Sequence, residues 1–267
     1  LYCFCVTHPT VPRCAQLAAE PHWRTVDFLS DLHLHPDERS TFAAWQRYLA
    51  RTPADAVVML GDLFEAWVGD DALDEPGSFE AQCCAVLRTA AQQRSLFFLP
   101  GNRDFLIGDV FLQRSGVTGL ADPTLLDFAG QRWLLSHGDA LCLDDAPYQR
   151  FRAVARSGAW QQQFLAQPLA VRRAQVRDIR TQRQARQQSG EVYADVDTAA
   201  ACAWLRSPAV QAHTLIHGHT HRPGEHVLAE GLRRCVLSDW DGAAQPPRAD
   251  ILRLTHAGLQ RLAPDGW

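Results

Sequence analysis

Lysine is absent from this 267-residue chain, so all 26 of its cationic side chains are arginines. A phosphate group that meets a cationic side chain here therefore meets a planar guanidinium fork and not an ammonium group. The formal charge of −4 excludes a protein that is basic overall, although local basic patches are compatible with it. We therefore expect no nucleic-acid partner, and no feature of the sequence indicates a protein partner.

Long apolar runs and a regular cysteine framework are also missing. No apolar run approaches the ~20 residues that a helix needs to span a bilayer. Residues 1–24 lack an apolar core of the signal-peptide type, and we expect them to be an N-terminal extension. The eight cysteines show no paired C-x-x-C spacing, which favours reduced thiols packed as small apolar side chains over a zinc site.

Five apolar segments of strand character each end in a cluster of polar residues. Loops beyond the strand ends of α/β proteins bind ligands, so we expect these clusters to form one site. Carboxylate and imidazole groups suit manganese, iron, zinc or nickel, and no thiolate is among them. The candidate ligands are Asp31, His33, Asp62, Asn102, His137, His217 and His219.

Seven ligands are too many for a single four-coordinate ion and suit two ions that share a carboxylate. Two ions ~3.5–4 Å apart stabilise both the attacking and the leaving oxygen in phosphoryl transfer, and they lower the pKa of bound water. The set therefore predicts a hydrolase of phosphate esters or anhydrides. For any one of these residues, a turn or a hydrogen-bonded role is the simpler explanation, and only the whole set favours a metal site.

The order of elements predicts an α/β fold. Strand, helix, strand, helix and strand alternate over 25–99, which is typical of parallel pairing with right-handed crossovers. The first helix is expected near 39–51, where Trp45, Tyr48 and Leu49 lie at helical spacing. Short strands then suggest an antiparallel hairpin, and a helical stretch interrupts the strand pattern before it resumes. We place an N-terminal extension over 1–24, a core over 25–140 and 206–260, and a helical cap insertion over 141–205.

The five polar clusters, in their order along the chain, resemble the calcineurin-like metallophosphoesterases. The blocks that carry the resemblance are Asp31-x-His33, Gly61-Asp62, Gly101-Asn102-Arg103-Asp104, His137-Gly138-Asp139 and His217-Gly218-His219-Thr220-His221. The resemblance implies a β-sandwich core flanked by helices. It also implies that one ion is held by Asp31, His33, Asp62 and His219, and that Asp62 bridges to a second ion held by Asn102, His137 and His217. His221 matches the motif but is left outside the implied ligand set.

Arg103 narrows the resemblance, because most members of the family have a histidine at this position. An arginine does not act as a general acid near neutral pH, but its guanidinium can bind a phosphate and stabilise developing charge. With the stretches 63–71 and 137–148, the Gly-Asn-Arg-Asp block resembles the UDP-2,3-diacylglucosamine hydrolases of lipid A synthesis. This implies manganese-dependent attack of water on the α-phosphorus, which releases UMP and 2,3-diacylglucosamine 1-phosphate, with Asn102 and Arg103 in catalytic roles.

The same resemblance implies where the UDP-linked, doubly acylated substrate binds. The implied contacts in the core and at the start of the cap are Asn102, Arg103, Asp145, Tyr148 and His217. Further along the cap, the residues aligned with the serine and lysine that contact substrate in the family are Gln182, Arg186 and Ser189. This chain departs from the family there, because it has no lysine.

The cap sequence between 150 and 190 contains nine arginines and a single acid, Asp178, interleaved with aromatic and aliphatic residues. Basic amphipathic segments favour anionic membrane surfaces, whereas the simpler interpretation is a solvated helix face in an arginine-rich protein. With the resemblance, the sequence predicts a cytoplasmic protein held peripherally at the inner membrane. Two other functions stay open: another metallophosphoesterase, such as a dinucleoside polyphosphate hydrolase or a nuclease, and a non-catalytic scaffold on the same fold.

Overall fold

The computed structural model describes residues 12–188 and 194–263, and over 180–188 it describes the helical backbone alone. The strands in chain order are β1 (Ala15–Ala18), β2 (Thr25–Leu29), β3 (Ala56–Met59), β4 (Ser95–Phe98), β5 (Thr118–Gly119), β6 (Thr124–Phe128), β7 (Gln131–Leu135), β8 (Thr214–His217), β9 (Gly224–Ala229), β10 (Leu232–Val236), β11 (Ile251–Thr255) and β12 (Gly258–Leu262). The α-helices are α1 (Arg39–Arg51), α2 (Phe79–Ala91), α3 (Asp109–Ser115), α4 (Ala146–Ala155), α5 (Gly158–Leu165), α6 (Leu169–Gln188) and α7 (Thr198–Arg206). Single 3₁₀ turns span Asp70–Asp74 and Asp139–Leu141.

Two six-stranded sheets form a β-sandwich. Sheet I has the order β12-β11-β2-β3-β4-β5, and sheet II has the order β1-β6-β7-β8-β10-β9. The side chains between them are apolar on both inner faces, with Phe28 and Val58 from sheet I meeting Leu126 and Ile216 from sheet II in one buried cluster. Alternation of inward and outward residues along each strand produces this layer. The predicted sandwich core is therefore confirmed.

Parallel pairing in both sheets brings the predicted clusters to one edge of the sandwich. In sheet I, Leu29 of β2 pairs with Met59 of β3, which pairs with Phe98 of β4, so the three strands end at the same level. In sheet II, Leu135 of β7 pairs with Ile216 of β8 in the same way. Each of these strands is followed within a few residues by candidate ligands, which explains how distant parts of the sequence meet.

Helices cover the outer face of each sheet. The first helix, α1, buries Trp45, Tyr48 and Leu49 at helical spacing against sheet I, which confirms the amphipathic helix expected over 39–51. The last helix, α7, packs its Trp204 and Leu205 on the outer face of sheet II. Although α7 falls in the predicted insertion, it thus belongs to the packing of the sandwich. We use "cap" below for α4, α5 and α6.

Several short elements were not expected from the sequence. The strand β1 lies inside the predicted N-terminal extension, yet it pairs in parallel with β6, and Trp23 after it is 3% exposed. Four-residue strands such as β1 are too short to show a clear period of two.

None of the helices in the described ranges is both long and apolar enough to cross a membrane.

Candidate metal centre

The loops beyond the strand ends hold several predicted ligands in strained backbone conformations. Asp31, His33, Asp62 and His219 have φ values of 53°, 48°, 52° and 64°. Left-handed conformations are uncommon for residues other than glycine and persist where the surrounding structure enforces them. Here the main chain is held by hydrogen bonds, because the amide of Asp31 donates to the carbonyl of Gly61 and that of His33 donates to the carbonyl of Asp62, at 3.1 and 3.0 Å.

Two glycines let these loops approach one another. A Cβ atom on Gly101 would lie 3.0 Å from Asp62 Cγ and closer still to the Asp62 amide nitrogen. A Cβ atom on Gly218 would lie 2.8 Å from Ser30 Cβ and closer still to the Asp31 carboxylate. Only glycine fits at such distances, so each predicted acidic ligand is packed directly against the backbone of another ligand-bearing loop.

One cluster of donor atoms consists of Asp31, Asp62 and His137, all buried, whose ligand atoms lie within 4.8 Å of one another. His137 Nδ1 donates to the carbonyl of Leu60 at 2.9 Å, so this ring nitrogen is occupied. Its Nε2 lies 3.0 Å from Asn102 Oδ1 and 3.6 Å from Asp62 Oδ1. Oxygen and nitrogen atoms thus converge on one point, as the ligands of a divalent ion do.

A second cluster consists of Asp31, His33 and His221, again within 4.8 Å. His33 Nε2 lies 3.9 Å from Asp31 Oδ1, and His221 Nε2 lies 3.3 Å from both His33 Nε2 and Asp31 Oδ1. Asp31 therefore takes part in both clusters. The structure places His221 in this cluster, whereas the resemblance leaves it outside the ligand set.

His217 and His219 complete the region. His217 Nδ1 donates to the carbonyl of Gly218 at 2.9 Å, and its buried Nε2 has no hydrogen-bond partner within the described part of the chain. Burial lowers the pKa of His217 to about 3, so the ring is neutral and Nε2 carries a lone pair. An unpartnered buried nitrogen is costly unless a ligand satisfies it, and a metal ion fits this donor.

His219 lies beside the first cluster. Its backbone amide donates to both carboxylate oxygens of Asp31 at 3.2 and 3.0 Å, and its ring centroid is 5.1 Å from that of His137. Burial, and then the charge of His137, lower the pKa of His219 to about 4. This imidazole is therefore also neutral, the form in which histidine binds metals.

The charges of the two clusters support cation binding. Burial by itself would raise the pKa of Asp31, but a hydrogen bond from His221 and the charge of His137 hold it well below its usual range. Burial opposes the charging of His137, yet the carboxylates of Asp62 and Asp31 raise its pKa to about 9. The site thus keeps Asp31 ionised and favours positive charge. The donor atoms of the two clusters fit divalent ions by chemistry and placement.

Comparison with known proteins agrees with this geometry. The calcineurin-like phosphoesterase family matches residues 24–223. The UDP-2,3-diacylglucosamine hydrolase of Chromobacterium violaceum is 45% identical over 248 residues, which cover 89% of this chain and 98% of the relative. That of Xanthomonas campestris pv. campestris strain B100 is 41% identical over 248 residues, covering 88% and 100%. The chain belongs to the calcineurin-like phosphoesterases, among their UDP-2,3-diacylglucosamine hydrolases.

Among solved structures, a novel archaeal phosphodiesterase superposes with a TM-score of 0.44 at 11% identity, covering 89% of this chain and 98% of that one. Membership of the phosphoesterase family and the donor set together show that the protein is a hydrolase that depends on divalent metal ions. The scaffold alternative, which requires the loss of ligands, is not supported, because all seven predicted ligands are present at the strand ends.

Two residues at the site of this phosphoesterase were not singled out from the sequence. Asp104 is fully buried, and its carboxylate accepts the amides of Gly101, Asp62 and Leu63 at 2.8, 3.2 and 2.7 Å. Burial and the charge of Asp62 raise the pKa of Asp104 to about 7. It joins the two loops that carry Asp62 and Asn102. Its place at the end of the Gly-Asn-Arg-Asp block was the only available signal.

Glu65 is the other missed residue. Its carboxylate lies 2.6 Å from the guanidinium of Arg103 and 3.1 Å from Nδ1 of His33. Arg103 also approaches Asp62, with Nε 3.5 Å from Oδ2 and its own amide donating to Oδ1 at 2.9 Å. The Arg103 side chain is 31% exposed. The Arg103 side chain thus lies at the accessible rim of the metal centre.

The remaining predicted substrate contacts lie at the start of the cap or beyond the described side chains. Asp145 caps α4 by accepting the amide of Tyr148 at 2.9 Å. The Tyr148 hydroxyl donates to the buried carboxylate of Asp139, and its ring stacks 6.1 Å from that of His219. Tyr148 is therefore beside the metal centre. The side chains of Gln182 and Arg186, and the whole of Ser189, lie outside the described residues.

Proposed function

We propose that the protein hydrolyses the pyrophosphate of UDP-2,3-diacylglucosamine to UMP and 2,3-diacylglucosamine 1-phosphate, with two manganese ions. The observation that carries the proposal is 45% identity, over nearly the whole chain, to a protein named for this hydrolysis, in a chain that keeps every predicted ligand. The donor set combines carboxylate and amide oxygens with imidazole nitrogens and contains no thiolate, which suits manganese. Another metallophosphoesterase activity is the alternative that the experiment below distinguishes.

The proposed division of ligands gives one ion to Asp31, His33, Asp62 and His219. The second ion is assigned to Asp62, Asn102, His137 and His217. Two divalent ions bound here would lower the pKa of water and offset the charge of the phosphate oxygens. Water adds to the α-phosphorus, the bond from that phosphorus to the bridging oxygen breaks, and the sugar 1-phosphate leaves with the bridging oxygen.

The protein's own contribution to this reaction is positioning and charge. Arg103 binds the phosphate through its guanidinium and stabilises the negative charge that develops on its oxygens. The contact with Glu65 holds the Arg103 side chain at the rim, so the cation does not have to be ordered at each turnover. Asn102 is held beside His137 through its Oδ1 atom. Its amide group is therefore assigned to the same phosphate as Arg103.

The test is hydrolysis in ¹⁸O-labelled water with and without manganese, with products analysed by mass spectrometry. Label in UMP alone is expected, because water attacks the α-phosphorus. Label in the sugar phosphate would refute the proposed site of attack. No turnover of this substrate, together with metal-dependent cleavage of a generic phosphodiester, would favour the alternative activity. The Asp62→Ala variant serves as the control for contaminating hydrolases.

The cap also supports a proposal about partners: the enzyme binds the anionic membrane surface that holds its lipid substrate, as a cytoplasmic protein peripheral to the inner membrane. Among the described residues, most of the large apolar side chains that are exposed lie on α4, α5 and α6. They are Phe151, Val154, Leu165, Val171 and Ile179, each 40–55% exposed. Apolar side chains beside arginines suit the interface of an anionic bilayer.

Co-sedimentation with vesicles tests this proposal. Binding to vesicles that contain phosphatidylglycerol is expected to exceed binding to phosphatidylcholine vesicles, and to weaken with salt. In Val154→Glu, the aliphatic side chain that we expect to enter the bilayer is lost. Its burial contributes about 1.5 kcal/mol to the free energy of membrane binding, so the partition coefficient should fall about tenfold. Val227→Glu on β9, at a residue that is 84% exposed but off the cap, is the matched control. Equal loss in both variants would contradict the assignment of the cap as the membrane-facing surface.

A further inference from the structure

A buried arginine joins the cap to the core. Arg172 of α6 is 2% exposed, although arginine is rarely buried without full pairing. Its two terminal nitrogens fork onto the carboxylate of Asp71, and one of them also donates to the carbonyl of Val68. Its Nε donates to the carbonyl of Gln167 at 2.9 Å. The guanidinium is therefore held from three sides, which offsets the cost of removing it from water.

The shape of the site that receives Arg172 depends on Gly69. This residue has φ of +134°, a conformation that glycine adopts far more easily than other residues. A Cβ atom here would lie 2.9 Å from Asp71 Oδ1 and 3.0 Å from Leu165 Cδ2, and closer still to the Arg172 guanidinium. The segment 68–71 thus forms a socket for the Arg172 side chain. Val68 provides a carbonyl, Asp71 provides a carboxylate, and the missing side chain of Gly69 leaves the space that the guanidinium occupies.

The socket is hydrogen-bonded to the loop that carries Asn102 and Arg103. The amide of Trp67, the residue just before the socket, donates to the carbonyl of Arg103 at 2.9 Å. Asp70 accepts the amides of Gly108 and Phe111 at 3.0 and 2.9 Å, so it fixes the end of the same loop. The position of α6 and the position of the phosphate-binding loop are therefore set by one segment.

We propose that Arg172 is a positioning residue: seated in the 68–71 socket, it fixes the cap helix relative to the Asn102–Arg103 loop and so sets the affinity for the acylated part of the substrate. The kinetic half of this inference rests on the proposed function, whereas the structural half does not. We expect a substrate without acyl chains not to depend on the position of α6, so the proposal separates two kinds of substrate. The metal ligands are not touched by Arg172.

The experiment compares Arg172→Gln with Arg173→Gln. Arg173 is the adjacent residue on α6 and is also ion-paired, with Glu75 at 2.6 Å, but its side chain is 31% exposed. Both variants lose one positive charge at the same place in the sequence. Amide hydrogen exchange over residues 169–179 is measured without substrate, and kcat and KM are measured on UDP-2,3-diacylglucosamine and on bis(p-nitrophenyl) phosphate.

In Arg172→Gln, exchange over 169–179 is expected to speed up at least tenfold and KM for the acylated substrate to rise at least tenfold. Its kcat, its activity on the small phosphodiester and its manganese content should stay within twofold of wild type. Arg173→Gln should change none of these by more than twofold. Equal loss on both substrates, or exchange no faster than in Arg173→Gln, overturns the proposal.

The proposal can still be tested if Arg172→Gln does not fold or if the wild-type protein does not hydrolyse the lipid substrate. If Arg172→Gln fails to fold, Asp71→Asn opens the same contact from a carboxylate that is 51% exposed, and the same expectations apply to it. If wild type does not hydrolyse UDP-2,3-diacylglucosamine, the proposed function fails. The exchange comparison then still decides whether Arg172 fixes the cap helix.

Discussion

Gly101→Ala adds a single methyl group where two ligand-bearing loops touch. The added carbon would lie 3.0 Å from Asp62 Cγ and closer to the Asp62 amide, and neither the backbone nor a metal ligand can yield without moving the site. Overpacking of this kind costs about 1–3 kcal/mol, which corresponds to a Tm decrease of about 2–10 °C. Displacement of Asp62 should also weaken manganese binding about 10- to 100-fold, as loss of the groups that orient a metal ligand does.

Gly158→Ala is the matched control, because a Cβ atom at this first residue of α5 meets no atom of the described residues within 4 Å. Manganese affinity by calorimetry, Tm by scanning calorimetry and turnover are measured for both variants. Gly158→Ala should match wild type in all three. Wild-type manganese affinity and turnover in Gly101→Ala would show that the contact between Gly101 and Asp62 does not hold the ligand in place, and would refute the reasoning.

Three other perturbations test the site. Asp62→Ala should remove turnover and lower manganese stoichiometry together, because Asp62 is assigned to both ions; full metal content with activity would contradict the assignment. Arg103→Ala should reduce kcat about 10²- to 10³-fold with manganese still bound, whereas loss of metal would mean a structural role. In metal-free protein, His137 has a pKa of about 9, because neighbouring carboxylates outweigh burial. Its stabilisation is therefore full below about pH 6.5 and lost as pH rises through 9, so Tm should fall across that window. Asp104, with its pKa raised to about 7, titrates in the lower part of the window, so His137→Gln should flatten the fall in its upper part, near pH 9.

The sequence predicted the elements that carry strong local patterns. The amphipathic helix over 39–51 appears as α1 with the expected bounds, since four buried side chains at helical spacing leave little choice of face. The parallel strands β2 to β4 were likewise expected from their alternation with helices. Once these strands pair in register, the candidate ligands that follow them must meet. That is why most of the site could be predicted before its geometry was known.

The groups that act through other residues could not be predicted, because their partners are distant in the sequence. Asp104 accepts amides 41 and 42 residues away, and Glu65 pairs with an arginine 38 residues away. Such contacts leave no periodicity in the local sequence. The left-handed conformations of Asp31 and Asp62 are equally invisible, because aspartate at a strand end is usually an ordinary turn residue. These long-range contacts and backbone conformations hold the candidate ligands close together and in fixed orientations.

The last motif shows how geometry refines an assignment made from a pattern. The alternation in His217-Gly218-His219 predicts two ligands, and the structure keeps both rings neutral and places His219 beside the buried carboxylates. His221, two residues further, is 3.3 Å from Asp31 Oδ1. Burial lowers the pKa of His221, but the hydrogen bond with Asp31 and the charge of Asp31 raise it above its usual value. A neutral imidazole offers a lone pair to a metal ion. His217 and His219 thus have the protonation state of metal ligands, whereas His221 contacts Asp31, the residue that takes part in both clusters.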